Sequence, residues 1–152
     1  MNAVSASNLD EVKTLVNDAM ADRQRLEIVA GGSKRLLGRA APFDQIVDVR
    51  RMAGIIDYQP EELVLTLRAG TPMAEVEAAL VTARQMLAFD PPDYGHLLGG
   101  GNAGTIGGIV ATNLSGPRRL TAGAARDYLL GFEAISGRGE LFKSGGKVMK
   151  NV

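Results

Sequence analysis

The chain has 152 residues, 45% apolar and 22% charged, and its seventeen basic side chains balance seventeen acidic ones. That is ordinary for one globular domain, or for two small lobes sharing a core, and it leaves no net field to draw the chain to nucleic acid or an anionic membrane. The absence of cysteine excludes disulfides, thiolate nucleophiles and iron–sulfur or cysteine–zinc sites in this chain, and a single histidine, His96, is too few for a histidine-rich metal site.

The opening stretch, MNAVSASNLDEVKTLVNDAM, carries neither the basic region nor the apolar core of a signal peptide. Within it Leu9, Val12, Leu15, Val16, Ala19 and Met20 recur at helical spacing. This predicts an amphipathic helix over about 8–22, with Ser7 and Asp10 resembling a capping box. LEIVA then reads as a strand breaking into the tight loop Gly31–Gly32. QIVDV (45–49), GIIDY (54–58) and ELVLTLRAG (62–70) read as three more strands, with a turn at Gln59–Pro60–Glu61 between the last two.

Thr71–Pro72 predicts a helix start, with the hydroxyl at the N-cap and proline first in the helix. That helix runs to about Arg84 and buries Met73, Val76, Leu80 and Ala83. Pro91–Pro92 makes most of 85–98 a loop. A glycine-rich segment without a charged side chain follows at 99–116, and YLLGFEAIS (128–136), a Gly137–Arg138–Gly139 turn and ELFKS (140–144) predict a β-hairpin. Strands that follow one another without intervening helices indicate an α+β fold. No apolar window is long enough for a transmembrane helix, so no direct membrane insertion is expected. The lack of cysteine fits a cytoplasmic protein.

Gly99, Gly101 and Gly104 match the dinucleotide pattern G-x-G-x-x-G, but PPDYGHLL ahead of them is no strand and Asp127 precedes its strand instead of ending one. GTIGGIVATN (104–113) places Ile106, Ile109 and Val110 toward a core and leaves Gly107, Gly108 and Ala111 nearly bare. Two readings fit that bareness: a helix start open to an anion, or a glycine-lined helix packed against another backbone. AGGSK (30–34) is a second neutral loop after a strand, able to turn its amides inward as an anion nest. Two such loops suit an extended diphosphate held by backbone amides, as in FAD, and a chain without cysteine or catalytic triad needs a cofactor for redox chemistry.

The ordered set AGGSK, ELVLTLRAGTPMAEVEAAL, FDPP and GTIGGIVATNLSGPRRLTAGAARDYLLGFEAISGRGELFKSGGKVMKN resembles the FAD-binding domain of the vanillyl-alcohol oxidase (PCMH) type. Within that superfamily it is most similar to the FAD-binding subunits of bacterial glycolate oxidases. The resemblance implies a two-lobed α+β domain, divided at about residue 68, with a small, mostly parallel sheet in the first lobe and a larger mixed sheet in the second. It implies non-covalent FAD stretched between them. Ala30, Gly31, Gly32, Ser33 and Lys34 would form one pyrophosphate loop and Gly104, Thr105, Ile106, Gly107 and Gly108 the other. Pro91 and Pro92 would lie near the flavin, and Ala111, Thr112 and Asn113 further along the cofactor. Gly116 and Gly123 would turn toward the adenosine end, with Ile135 against adenine. Ser33 stands near the place where covalently flavinylated relatives carry histidine, and Lys150–Asn151 begins a motif that continues further in relatives.

The same resemblance implies a substrate-binding cap domain beyond this chain, and a hetero-oligomeric redox complex with a second flavin subunit and an iron–sulfur subunit, attached peripherally to the membrane at most. Arg118, Arg119, Asp90, Asp93 and Asp127 read as solvated or turn residues, and no general base stands out. The function expected is FAD binding in a 2-hydroxy-acid oxidoreductase of the glycolate type. The alternatives are a non-catalytic assembly subunit of the same fold and a nicotinamide dinucleotide binder. On this placement Gly107→Arg is expected to abolish FAD binding while the fold survives.

Overall fold

A computed structural model describes residues 3–95 and 104–146; His96, Gly99, Gly101, Lys150 and Asn151 lie outside the described residues. In chain order the elements are β1 (Ala3–Ser5), α1 (Leu9–Ala21), β2 (Leu26–Val29), β3 (Gln45–Asp48), β4 (Ile55–Gln59), β5 (Val64–Leu67), α2 (Met73–Thr82), α3 (Ile106–Thr112), α4 (Arg119–Ala122), β6 (Gly131–Ile135) and β7 (Leu141–Gly145). Two 3-10 turns, Pro60–Glu62 and Ala125–Tyr128, complete the set among the described residues. They fall into two compact units. One draws on the described residues of Met1–Val29, Arg39–Met52 and Leu130–Val152, the other on Ala30–Gly38 and Ala53–Leu129.

In the first unit β3 lies between β1 and β2 and pairs parallel with both, Val47 standing opposite Val4 on one side and Ile28 on the other. Val47 and Ala6 are fully buried. The three residues of β1 show no periodicity by themselves, and only pairing with β3 makes them a strand. The cap of α1 sits one residue later than Ser7–Asp10 predicts. Asn8 Oδ1 accepts the Glu11 amide at 2.9 Å, and Glu11 Oε2 reaches back to accept the Ser7 amide at 2.7 Å. Glutamate has the extra methylene this reciprocal bond needs, and Asp10 does not.

The hairpin β6–β7 pairs antiparallel from Gly131↔Gly145 to Ile135↔Leu141. Its first strand starts at Gly131, later than the predicted 128, because the Ala124 amide donates to Asp127 Oδ2 at 2.8 Å and winds Ala125–Tyr128 into a 3-10 turn.

Arg25 forks onto Asp44 ahead of β3, with Nε and Nη2 each 2.9 Å from a carboxylate oxygen, and holds the Asp44 carboxyl down to about 2. A carboxyl depressed in the folded state adds stability above its unfolded value, and that stability is lost as pH falls through the folded one. Thermal stability of the wild type should therefore drop faster than that of Asp44→Asn between about pH 4 and pH 2, in melting curves taken across that range.

In the second unit β4 and β5 form an antiparallel pair joined by the Pro60–Glu62 turn, which closes on Leu63 in the left-handed region at φ 57°. The next helix, α2, buries Met73, Val76 and Leu80, whereas Ala83 is only half-buried at its C-cap. Thr71 is not its N-cap. That position belongs to Pro72, in extended conformation, and makes no side-chain capping bond. The Thr71 hydroxyl is fully buried instead, donating to Arg68 O at 2.6 Å and accepting the Gly54 amide at 2.9 Å. It ties the end of β5 to the start of β4. Met73, Phe89, Ile109 and Ala125 make the core of this unit, with Leu87 and Ile106 packed against it.

Candidate cofactor site

The loop after β2 turns twice in succession, through Arg35 N–H to Gly32 O at 3.2 Å and Leu37 N–H to Lys34 O at 3.0 Å. Gly32 enters these turns at φ +72°, a conformation glycine adopts without steric cost. Those bonds use the carbonyls of Gly32 and Lys34. The amides of Gly32, Ser33 and Lys34 have no acceptor among the described residues. Ser33 is 3% exposed, and its Oγ accepts from Lys34 Nζ at 3.3 Å.

Gly104 meets this loop from the second glycine-rich segment. Its φ is +87°, and a Cβ there would lie 2.5 Å from Ser33 Oγ and 3.0 Å from Lys34 Nζ. The two segments that resemblance assigns to pyrophosphate thus come together at Ser33, Lys34 and Gly104. Burial pushes the Lys34 ammonium below the usual lysine range, while the Asp93 carboxylate acts in the opposite sense from a distance.

The start of α3 is built differently. Thr105 caps it, accepting the Gly108 amide on Oγ1 at 3.4 Å. The Ile106 amide donates to Thr71 O at 3.0 Å and the Gly107 amide to Ala69 O at 2.9 Å. The amides of Ile106 and Gly107 are therefore already engaged, and this helix start is not an open anion nest. A Cβ on Gly107 would sit 2.6 Å from Ala69 O and 2.8 Å from Ala69 Cβ. Gly107 is bare because another backbone packs there, which corrects the expectation that its substitution would leave the fold intact. Gly108 is the unencumbered one: a Cβ would meet only Thr105 Oγ1, at 3.5 Å.

The rest of α3 serves the helix itself. Thr112 Oγ1 donates back to Gly108 O at 2.7 Å, Ala111 is exposed, and Asn113 ends the helix at φ 48° while its Oδ1 accepts the Arg126 amide at 3.0 Å. Gly116 donates its amide to Asp90 O at 2.7 Å, and Gly123 closes α4 at φ +88° beside Asp127. Pro91 and Pro92 are half-buried; Pro91, with Asp90, Arg118 and the Leu80–Val81 face of α2, lines an open hollow of about 340 Å³. Ala30 and Gly31 are half-buried at the head of the first loop, and Ile135 lies on β6 in the other unit.

The sequence offered a signal for two glycine loops but none for the Lys34–Gly104 approach, because the loops are distant along the chain. Among the described residues no group of three or more histidine, aspartate or glutamate side chains could hold a metal ion, and no helix is long and apolar enough to cross a membrane.

Residues 2–145 match the family described as FAD binding domain. The chain is 47% identical over 137 residues to glycolate oxidase subunit GlcE of Escherichia coli K12, a match covering 90% of this chain and 37% of that protein. It is 28% identical over 152 residues to glycolate oxidase subunit GlcD of Bacillus subtilis 168, covering 98% and 30%. It is also 28% identical over 151 residues to a D-lactate dehydrogenase of Archaeoglobus fulgidus, covering 97% and 32%. The chain spans about a third of the length of these curated relatives.

Among solved structures, 6-hydroxy-D-nicotine oxidase from Arthrobacter nicotinovorans is similar at TM-score 0.76 and 12% identity, over 94% of this chain and 29% of that one. An alkyldihydroxyacetonephosphate synthase reaches TM-score 0.74 at 23% identity, over 93% and 26%. At these identities the likeness shows the α+β fold alone.

Proposed function

The chain belongs to the family of FAD binding domains, with FAD as its cofactor, and on that premise we propose that it holds FAD for a flavin-dependent oxidoreductase of 2-hydroxy acids, of the glycolate type. The observation that carries the placement is the run of acceptor-free amides at Gly32, Ser33 and Lys34 beside the bare Gly104. Three adjacent N–H donors fit a ligand rich in acceptor oxygens, and the cofactor's diphosphate is such a ligand.

In this reading Gly104 keeps the loop in position, and Gly108 leaves room for close approach beside α3. Pro91, Pro92 and Ala111, in the same unit, would contribute walls further from the loop. Ser33 offers no imidazole for a covalent flavin link, which supports non-covalent binding. FAD, when bound, supplies the two-electron acceptor that lets a hydroxyl-bearing carbon become a carbonyl. The relatives named as glycolate oxidase subunits support a multi-subunit assembly, and the proposal adds to it a second flavin subunit and an iron–sulfur subunit that take the electrons onward.

A melting experiment with added dinucleotides tests the assignment. FAD at about a hundred times its dissociation constant adds about 2.7 kcal/mol, or roughly 5–10 °C for a chain of this size, and NADH at the same concentration adds nothing. Stabilisation by NADH without stabilisation by FAD would make this a nicotinamide dinucleotide binder instead.

A further inference from the structure

We propose that the Lys34 side chain is a charged contact for the diphosphate, so that this loop binds its ligand by an ammonium as well as by neutral amides. The inference rests on the FAD reading and goes beyond it, since AGGSK by itself reads as a neutral nest.

The charge on this loop is unbalanced among the described residues. Lys34 is half-buried, and among the described residues it makes no ion pair. Its Nζ has three donors, and the one hydrogen bond found for it goes to Ser33 Oγ, a neutral and buried acceptor. A cation drawn partly out of water without a carboxylate in contact is costly unless an anion joins it. The amides of Gly32, Ser33 and Lys34 aggravate the imbalance, because they add three more positive ends without an acceptor among the described residues.

Asp93 attracts Lys34 at a distance without forming an ion pair, so among the described residues no carboxylate contacts Nζ. Gly104 lies close against the ammonium, since a Cβ there would come within 3.0 Å of Nζ. A single anion with several oxygens can satisfy the ammonium and the amides together. A diphosphate has both the charge and the number of acceptors, and a charge-assisted bond of this kind is about twice as strong as a neutral one.

The test uses inorganic pyrophosphate and FAD as separate probes on the wild type, Lys34→Met, Lys34→Gln and Lys34→Arg, by calorimetric titration at low and high salt. The two neutral variants should melt, unliganded, at the wild-type temperature or above it, because each removes a desolvated charge. Both should bind pyrophosphate and FAD about tenfold more weakly and lose most of the salt dependence that the wild type shows. Lys34→Arg should recover affinity and salt dependence, which a merely structural role for the ammonium would not predict.

The proposal is overturned if Lys34→Met and Lys34→Gln bind both probes as tightly as the wild type, with the same salt dependence. It is overturned equally if the folded wild type binds neither probe. A wild type that takes pyrophosphate but not FAD refutes the FAD reading and leaves Lys34 to be decided by the pyrophosphate comparison. A wild type that takes FAD alone leaves it to be decided by FAD.

Discussion

Gly107→Ala should lower the stability of the chain by about 3 kcal/mol, a fall of roughly 6–12 °C in melting temperature, and Gly107→Arg should leave it largely unfolded. The cause is local. A Cβ at this position would lie 2.6 Å from Ala69 O and 2.8 Å from Ala69 Cβ, and neither is the free end of a flexible side chain. To admit it, α3 must back away from the residues after β5. That retreat stretches the 2.9 Å bond from the Gly107 amide to Ala69 O and the 3.0 Å bond from the Ile106 amide to Thr71 O. Ile109, fully buried in the core of the same unit, moves with the helix.

Gly108→Ala is the control. Its Cβ meets only Thr105 Oγ1 at ordinary contact distance, and alanine gains up to about 1 kcal/mol over glycine in a helix. Unfolding curves of the two alanine variants should therefore move in opposite directions. A Gly107→Ala protein as stable as the wild type would show that α3 does not pack on Ala69 as described. Gly108→Ala also becomes the cleaner probe of cofactor approach, because the fold survives it and any loss of FAD affinity belongs to the site.

Gly104→Ala should cost about 2–3 kcal/mol and weaken FAD binding at least about tenfold. Two terms add. The position sits at φ +87°, which an L side chain adopts only under strain, and the new methyl would lie 2.5 Å from Ser33 Oγ. Ser33 is buried, so its hydroxyl has little room to turn away, and the segment carrying the three open amides must shift. The terms can be separated, because Ser33→Ala removes only the clashing oxygen. Combined with Gly104→Ala it should restore about 1 kcal/mol relative to the sum of the single changes, while the backbone strain remains. Strict additivity of the two substitutions would mean that Gly104 and Ser33 do not meet.

These two glycines show where sequence patterns carry and where they stop. The periodicity of Leu9–Met20, the apolar runs of β2 to β5, and the Gly137–Arg138–Gly139 turn each declare an element, because the signal lies within a few neighbouring residues. β1 does not declare itself, since three residues become a strand only when β3 lies beside them. Thr71–Pro72 has the chemistry of a helix start, yet the hydroxyl bonds Arg68 O and the Gly54 amide, a tertiary demand invisible to local preference.

The site follows the same rule. Glycine at 104, 107 and 108 says only that a side chain is absent. What would have met that side chain is a loop, a backbone and nearly open space respectively, and each comes from elsewhere in the chain. A glycine-rich segment therefore marks where side chains are absent, and only the structure gives Gly107 its packing role against Ala69.

In the proposed site the cofactor's diphosphate rests on the amides of Gly32, Ser33 and Lys34 rather than on the first turn of α3. Amide proton and nitrogen shifts, followed by NMR as FAD is added to the labelled chain, measure it directly. The largest downfield proton shifts are expected at Gly32, Ser33 and Lys34, with Ile106 and Gly107 nearly unmoved because their bonds to Thr71 O and Ala69 O persist. Shifts concentrated at Ile106 and Gly107, with the Gly32–Lys34 amides unchanged, would contradict it.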